Sequence, residues 1–434
     1  MAAVFAQSTV PAPTCDTGPR YGTNKLSMTL SLADVEAARR RIARGIYESP
    51  CPESIPLSEV AGCPVFCKLD YLQRTGSFKE RGARNALMQL DDEHRRQGVI
   101  SASAGNHALG LAYHGKLLDI GVTVVMPKFA PLIKQITCRR LGATVILHGE
   151  TFAEAYEHAH QLAGERGLAY IHGFNDPAII AGQGTMGLEI LEQAPDAAAI
   201  VVPVGGGGLI AGIALAVKSL RPEVRIFGVQ AEHAPGFVAA QDAGHPVRTP
   251  VEPTLADGLA VSLVGELSFS IAAPRVERVV TVSEEQLALA MLRLLESEKS
   301  VVEGGGAAPL AACMAGKLPE LDQAKTVLVL SGGNVDPSVL SRVIDKGRVA
   351  DGRLCRFTAV ISDRPGGLAR LTQVIAECGA SVQEILHDRA FSGLDVGLAH
   401  VLCIVETEDR DHIHRVYQRL GESGIRVLPD GEKV

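Results

Sequence analysis

The chain has 434 residues, of which 46% are hydrophobic and only 4% aromatic, with no tryptophan and a formal charge of −7. That length is enough for two or three domains around a large aliphatic core, and the acidic balance argues against a basic nucleic-acid-binding face. Nine scattered cysteines without a C-x-x-C pair, and no apolar run of the ~18 residues a membrane helix needs, point to a reduced, cytosolic protein.

Residues 1–28 lack both a basic start and a sustained apolar core, and read as a mobile extension rather than a signal peptide. "SLADVEAARRRIARGI" then predicts a helix, with Ser31 as N-cap, Asp34 three positions on, and Arg39 to Arg41 on a solvated face. "PVFCKL" predicts a strand, whose Cys67, like Cys63 just before it, reads as core, and "SFKERGARNAL" a helix. Strands at "GVISAS", "VTVVMP" and "TVILHG" alternate with helices at "GNHALGLAYHGKLL" and "APLIKQITCRRLG". "EHAH", 157–160, reads as a solvated helix face. Further on, strands at "AAIVVPV", "VRIFGVQ" and "TVLVLS" alternate with helices at "LIAGIALAVKSL" and "EEQLALAMLRLLESE". Apolar strands alternating with helices predict an α/β fold, a parallel sheet covered on both faces.

The rhythm changes near residue 347. "DKGRVADGR" is a charged, glycine-containing connector. Beyond it, six segments run strand, helix, strand, strand, helix, strand, with Gly379 stopping the first helix. This βαββαβ order predicts a ferredoxin-like unit in about 80 residues.

In an open α/β sheet, ligands sit beyond the C-terminal ends of the strands, and three predicted strands end there in polar, glycine-rich loops. "SASAGNHALG" places Gly105, Asn106 and His107 at a helix start, where free N–H groups and the helix dipole favour an anion such as a carboxylate. The plain alternative is an ordinary N-cap by Asn106 or Ser103. "VVPVGGGGLIAG" sets Gly205, Gly206, Gly207 and Gly208 between strand and helix, so the backbone can close around a phosphate. No Gly-Lys-Ser/Thr follows, so it is not a P-loop. With Gly206, Gly208, Ala211 and the acid Glu232 it also loosely satisfies a dinucleotide pattern, which keeps an NAD-linked dehydrogenase as a competing reading. "VLVLSGGN" aims Ser331 from a strand end, either as a hydroxyl for a ring nitrogen or as a helix cap. Together with Lys79 as a candidate amine, these parts are the fixtures that pyridoxal phosphate and an amino acid require, whereas NAD would leave Lys79 and Ser331 without roles. A catalytically silent amino-acid sensor would not need Lys79 and both anion cups.

"SFKERGA", "SAGNHA", "VPVGGGGL" and "SGGN", with "GQGTMGLEI", "ADGLAV" and "VVEGGGA", resemble in order and spacing the fold-type II pyridoxal-phosphate enzymes of the threonine/serine dehydratase group. "DRPGGLARL" and its surroundings resemble an ACT domain. The resemblance implies a two-lobed catalytic domain over 29–346, with a smaller lobe inserted at roughly 65–165, and a linker plus regulatory domain over 347–434. It implies that Lys79 carries the cofactor as a Schiff base and then acts as the base at Cα. It places Phe78 along the cofactor ring, Asn106 by its 3-hydroxyl, Gly205 to Gly208 with Leu209 on the phosphate, and Ser331 at the pyridine nitrogen. Ser103, Ala104, Gly105, Asn106 and His107 would receive the substrate carboxylate. The implied reaction is β-elimination of water from L-threonine to 2-oxobutanoate and ammonia, with L-serine also turned over.

Ala104 stands where serine racemases of the group carry a second serine, which favours elimination over racemisation. Serine racemase and hydroxyaspartate dehydratase remain the family alternatives. Gln230 and Gly236 stand where cation-binding relatives place acids, so no tight metal site is expected, Glu232 alone being a poor one. The resemblance further implies a homodimer or homotetramer and an amino-acid effector, isoleucine or valine, near Gly366 and Gly367, the plain alternative being a dimerisation module that binds no ligand.

Overall fold

Among the described residues, mostly buried β-branched and aliphatic runs form three sheets, and the glycine-rich loops lie at the edges where those runs stop. The structure is a computed structural model describing residues 30–388 and 397–429. The predicted extension 1–28 lies outside the described residues.

The largest sheet has six strands in the order Glu53–Ser54, Val65–Lys68, Thr326–Val329, Ala199–Pro203, Arg225–Ala231, Arg278–Val282. Only the first pair is antiparallel. Its central strands are wholly buried, with two aliphatic clusters on opposite faces. Cys63 and Cys67 lie in one of these clusters. A second sheet is parallel throughout, ordered Thr144–Leu147, Val122–Met126, Val99–Ala102, Ala169–Tyr170. One mostly parallel and one wholly parallel sheet, each flanked by helices, make the two-lobed α/β architecture.

The third sheet is antiparallel, ordered Ser381–Asp388, Leu398–Glu406, Leu354–Ser362, Arg426–Pro429. Helices Gly367–Glu377 and Arg410–Glu422 pack on one face through Leu371, Ile375, Val416 and Leu420, giving the βαββαβ unit its own core. Gly379 adopts φ +83° just past the first of these helices, as a C-terminal stop requires.

Three local expectations need correction. The connector at 345–353 is mostly helical, because the helix Pro337–Ala350 continues through it. The arginine run is not simply solvated: Arg39 makes two 2.5 Å contacts to the Glu192 carboxylate and Arg41 donates to Asn85, leaving Arg40 exposed. In "EHAH", His158 stacks on His148 at 3.8 Å and His160 on Tyr170 at 3.9 Å, because that side of helix Phe152–Arg166 faces its sheet rather than water.

Candidate active site

Lys79 is the first residue of helix Lys79–Met88, and the loop before it is held from several directions. Gly333 N–H donates to Gly76 O at 2.9 Å and Phe78 N–H to Ser331 O at 2.9 Å, with Ser77 bridged to Gly332. The lysine loop and the Ser331 loop are therefore zipped backbone to backbone. Two residues into the helix, the fully buried Arg81 guanidinium contacts Asp70 at 2.7 and 2.9 Å and Glu189 at 2.5 and 2.8 Å. Lys68 Nζ reaches the same Glu189 at 2.6 Å. One of the motif's three cations thus serves to fix the helix that presents Lys79. Glu80 accepts from Thr75 N–H and faces His114 Nε2 at 3.1 Å.

The Lys79 amine, over the Phe78 ring at 5.1 Å, donates to the carbonyl of Gly173 at 2.8 Å. Its surroundings pull its pKa down to about 8, burial lowering it and the charge of Glu303 opposing. A neutral amine is thereby within reach near physiological pH.

Helix Asn106–Leu118 starts at Gly105, not at a side-chain cap, so Asn106 and Ser103 are not its N-cap as the plain alternative had it. Ser103 Oγ instead accepts from Gly105 N–H at 3.3 Å. Ser103, Ala104, Gly105 and Asn106 are all partly exposed, and the first-turn N–H groups have no intrahelical acceptor. His107 turns its ring inward: Nε2 lies 3.3 Å from the Ile171 carbonyl, and Nδ1 is buried without a partner among the described residues. Burial first, then the Lys79 charge, drives its pKa to about 3, and that of His172 to about 4, so both rings are neutral at pH 7. His107 can meet an anion only through its backbone.

At the glycine loop, Gly207 adopts φ +92° and caps helix Gly208–Leu220. The N–H groups of Gly205, Gly206 and Gly207 donate to no backbone carbonyl among the described residues. A Cβ on Gly206 would fall 2.4 Å from the Phe174 ring, and one on Gly208 would fall 2.7 Å from the Phe174 carbonyl. Phe174 follows Gly173, the Lys79 partner, so the segment 172–175 joins lysine and glycine loop into one site. Ser331 is buried and is not a helix cap, since the next helix is capped by Asp336.

Sequence reasoning missed four participants. Glu303 Oε1 accepts from Asn106 Nδ2 at 2.8 Å, Asn334 Nδ2 donates to Asn106 Oδ1 at 2.9 Å, and Asn334 also holds the Thr75 carbonyl at 2.6 Å. Gly173 and Phe174 are the others. Glu303 and Asn334 lie within "VVEGGGA" and "SGGN", which carried the signal; nothing in "HGFND" singled out Gly173 or Phe174.

The model of the pyridoxal-phosphate-dependent enzyme family matches residues 42–332. This chain belongs to that family. It is 43% identical over 398 residues to an L-threonine ammonia-lyase of Thermotoga maritima, covering 92% of this chain and 99% of the relative. It is 44% identical over 396 residues to the L-threonine ammonia-lyase of Geobacter sulfurreducens, covering 91% and 98%. A match of 398 residues cannot fit within the first 346, so the likeness extends into the C-terminal unit. Among solved structures, the processed form of threonine deaminase isoform 2 from Solanum lycopersicum superposes with TM-score 0.69 at 38% identity, covering 73% of this chain and 92% of that one.

For a member of this family the residues fit pyridoxal phosphate. The glycine loop offers uncommitted N–H groups where side chains are sterically forbidden, and Lys79 offers an amine of lowered pKa. The NAD-linked reading falls with the family match. Its acid, Glu232, lies exposed, 4.0 Å from Lys317. Among the described residues, no three His, Cys, Asp or Glu side chains gather as a metal centre, and no helix is long and apolar enough to cross a membrane.

Proposed function

We propose that this enzyme is a threonine ammonia-lyase, converting L-threonine to 2-oxobutanoate and ammonia and L-serine to pyruvate. The observation that carries the reading is the partly shielded Lys79 amine, of lowered pKa, set between an unpaired glycine loop and the open start of helix Asn106–Leu118. Bound pyridoxal phosphate supplies an electron sink that acidifies the substrate Cα–H. The protein supplies the rest. Gly205 to Gly208 and Leu209 hold the phosphate through N–H groups. Asn106, locked by Glu303 and Asn334, keeps one Nδ2 hydrogen for the ring hydroxyl, Phe78 lines the ring, and Ser331 meets its nitrogen. Ser103, Ala104, Gly105, Asn106 and His107 form the carboxylate cup, chiefly through backbone N–H. Lys79 Nζ would hold the cofactor through its aldehyde and, as a free amine, would accept the substrate α-proton. Loss of the β-hydroxyl as water yields an enamine that hydrolyses to the 2-oxo acid and ammonia.

Residues 29–346 are the catalytic part and 347–434 the regulatory part, which would bind isoleucine or valine by Gly366 and Gly367. Gly366, at φ +99°, caps helix Gly367–Glu377, whose first-turn N–H groups have no intrahelical acceptor, although that of Gly367 donates to the Arg364 carbonyl at 3.0 Å. The exposed edge strand Ser381–Asp388 favours a homodimer or homotetramer. A cytoplasmic enzyme feeding branched-chain amino-acid synthesis is the setting this reading implies.

The test is the absorbance of the lysine-bound aldehyde together with 2-oxobutanoate release from L-threonine, on wild type and Lys79→Ala. Wild type should show both and the variant neither. A wild-type protein with bound cofactor but no 2-oxo acid from threonine or serine would overturn the lyase reading.

A further inference from the structure

Gln230 is the second-last residue of strand Arg225–Ala231, is only 1% exposed, and touches none of the groups assigned above to substrate or cofactor. A buried carboxamide is stable only when its donors and acceptor are used. Here Nε2 donates to the Val204 carbonyl at 3.2 Å, while Oε1 accepts from the N–H groups of Phe237 at 2.9 Å and Val238 at 3.1 Å. The second contact fixes the start of helix Gly236–Ala243, and Phe237 in turn lies 3.6 Å from where a Cβ on Gly207 would stand.

Val204 is the residue immediately before the four glycines. No cis peptide occurs among the described residues, so the Val204 carbonyl and the Gly205 N–H point in opposite directions within their shared peptide plane. Holding the carbonyl back toward Gln230 therefore aims the Gly205 N–H the other way. The glycines cannot set this direction themselves, because a glycine peptide rotates with little steric resistance.

We propose that Gln230 is a positioning residue for phosphate: its amide pins both flanks of the glycine loop, at Val204 and at Phe237, and so orients the loop's N–H groups before the cofactor arrives. The inference rests on reading that loop as the phosphate cradle. It places the determinant of cofactor retention on a neighbouring strand.

The full-length chain, freed of cofactor, is titrated with pyridoxal phosphate and separately with pyridoxal, which has the aldehyde for Lys79 but no phosphate. Gln230→Glu keeps the acceptor for Phe237 and Val238 but turns an acceptor against the Val204 carbonyl; Gln230→Met keeps the volume and removes both functions. Each should weaken pyridoxal phosphate binding by roughly tenfold or more, the effect of misplacing one hydrogen-bonded group, while pyridoxal affinity stays within about twofold of wild type. Affinities for both aldehydes falling together, no loss for pyridoxal phosphate, or variants that do not fold would overturn the proposal, since Gln230 would then support the sheet and not the loop. A wild type that binds the two aldehydes equally would instead sink the reading of the loop as a phosphate site.

Discussion

Glu303 Oε1 accepts a 2.8 Å hydrogen bond from Asn106 Nδ2, tying the cap of helix Gly304–Met314 in the six-stranded lobe to the first turn of helix Asn106–Leu118 in the other. The carboxyl is held up to about 7, by burial first and the negative charge of Asp257 second, with Lys134 and Asn106 pulling the other way. An acid raised above its unfolded value stabilises the fold less as pH rises: the contribution is fullest below about 4.5 and is lost through pH 7. Glu303→Gln keeps an acceptor for Asn106 without the charge. In the cofactor-free chain it should unfold at a higher midpoint than wild type at pH 8, by about 3 kcal/mol at most, with the gap closing toward pH 4.5. Equal pH dependence in the two proteins would remove Glu303 from this role.

Lys79 titrates in the opposite sense. Only its neutral form attacks an aldehyde, and its pKa of about 8 lies well below that of an ordinary lysine. The rate at which the cofactor-free chain takes up pyridoxal phosphate should climb about tenfold per pH unit below pH 8 and flatten above it. Stopped-flow absorbance reads this directly, and a rate still climbing beyond pH 10 would contradict the lowered pKa.

The buried and surface ion pairs should separate sharply. Glu189→Ala leaves Arg81 with Asp70 alone and Lys68 without its carboxylate inside the protein, and should cost about 3–5 kcal/mol, with loss of cofactor because helix Lys79–Met88 is less firmly anchored. Glu192→Ala breaks the partly exposed pair with Arg39 and should cost ~1 kcal/mol or less. Denaturant unfolding of both variants gives the comparison, which fails if the two losses are similar.

Gly206→Ala would drive a methyl into the Phe174 ring, 2.4 Å away. Cofactor affinity should fall on the order of tenfold or more, and the added substitution Phe174→Ala should recover part of it. No recovery in the double variant would mean that the backbone of Phe174, and not its ring, is the obstacle.

Much of this molecule was legible in its sequence. The strands from "PVFCKL" to "TVLVLS" could be read because buried runs carry their period in every residue. Lys79, the four glycines and Ser331 stood out as candidates because loops at strand ends leave conspicuous residues. Phe174 and Gly173 did not, since their importance lies in what they touch across the cleft. The same holds for Gln230, whose amide matters only because Val204 and Phe237 are brought to it. "EHAH" misled for a related reason: a polar residue's exposure depends on the neighbour that tertiary packing supplies.

The helix Pro337–Ala350 begins six residues after Ser331 and ends four residues before the strand Leu354–Ser362. Fourteen residues make a rod of about 21 Å. Its far end is clamped sideways: Arg293 reaches Asp351, Arg353 reaches Glu296, and Arg348 reaches Glu406. The C-terminal unit is therefore mounted on a lever and not hung from a string. A tilt at one end of that rod arrives at the other within six residues of the buried Ser331.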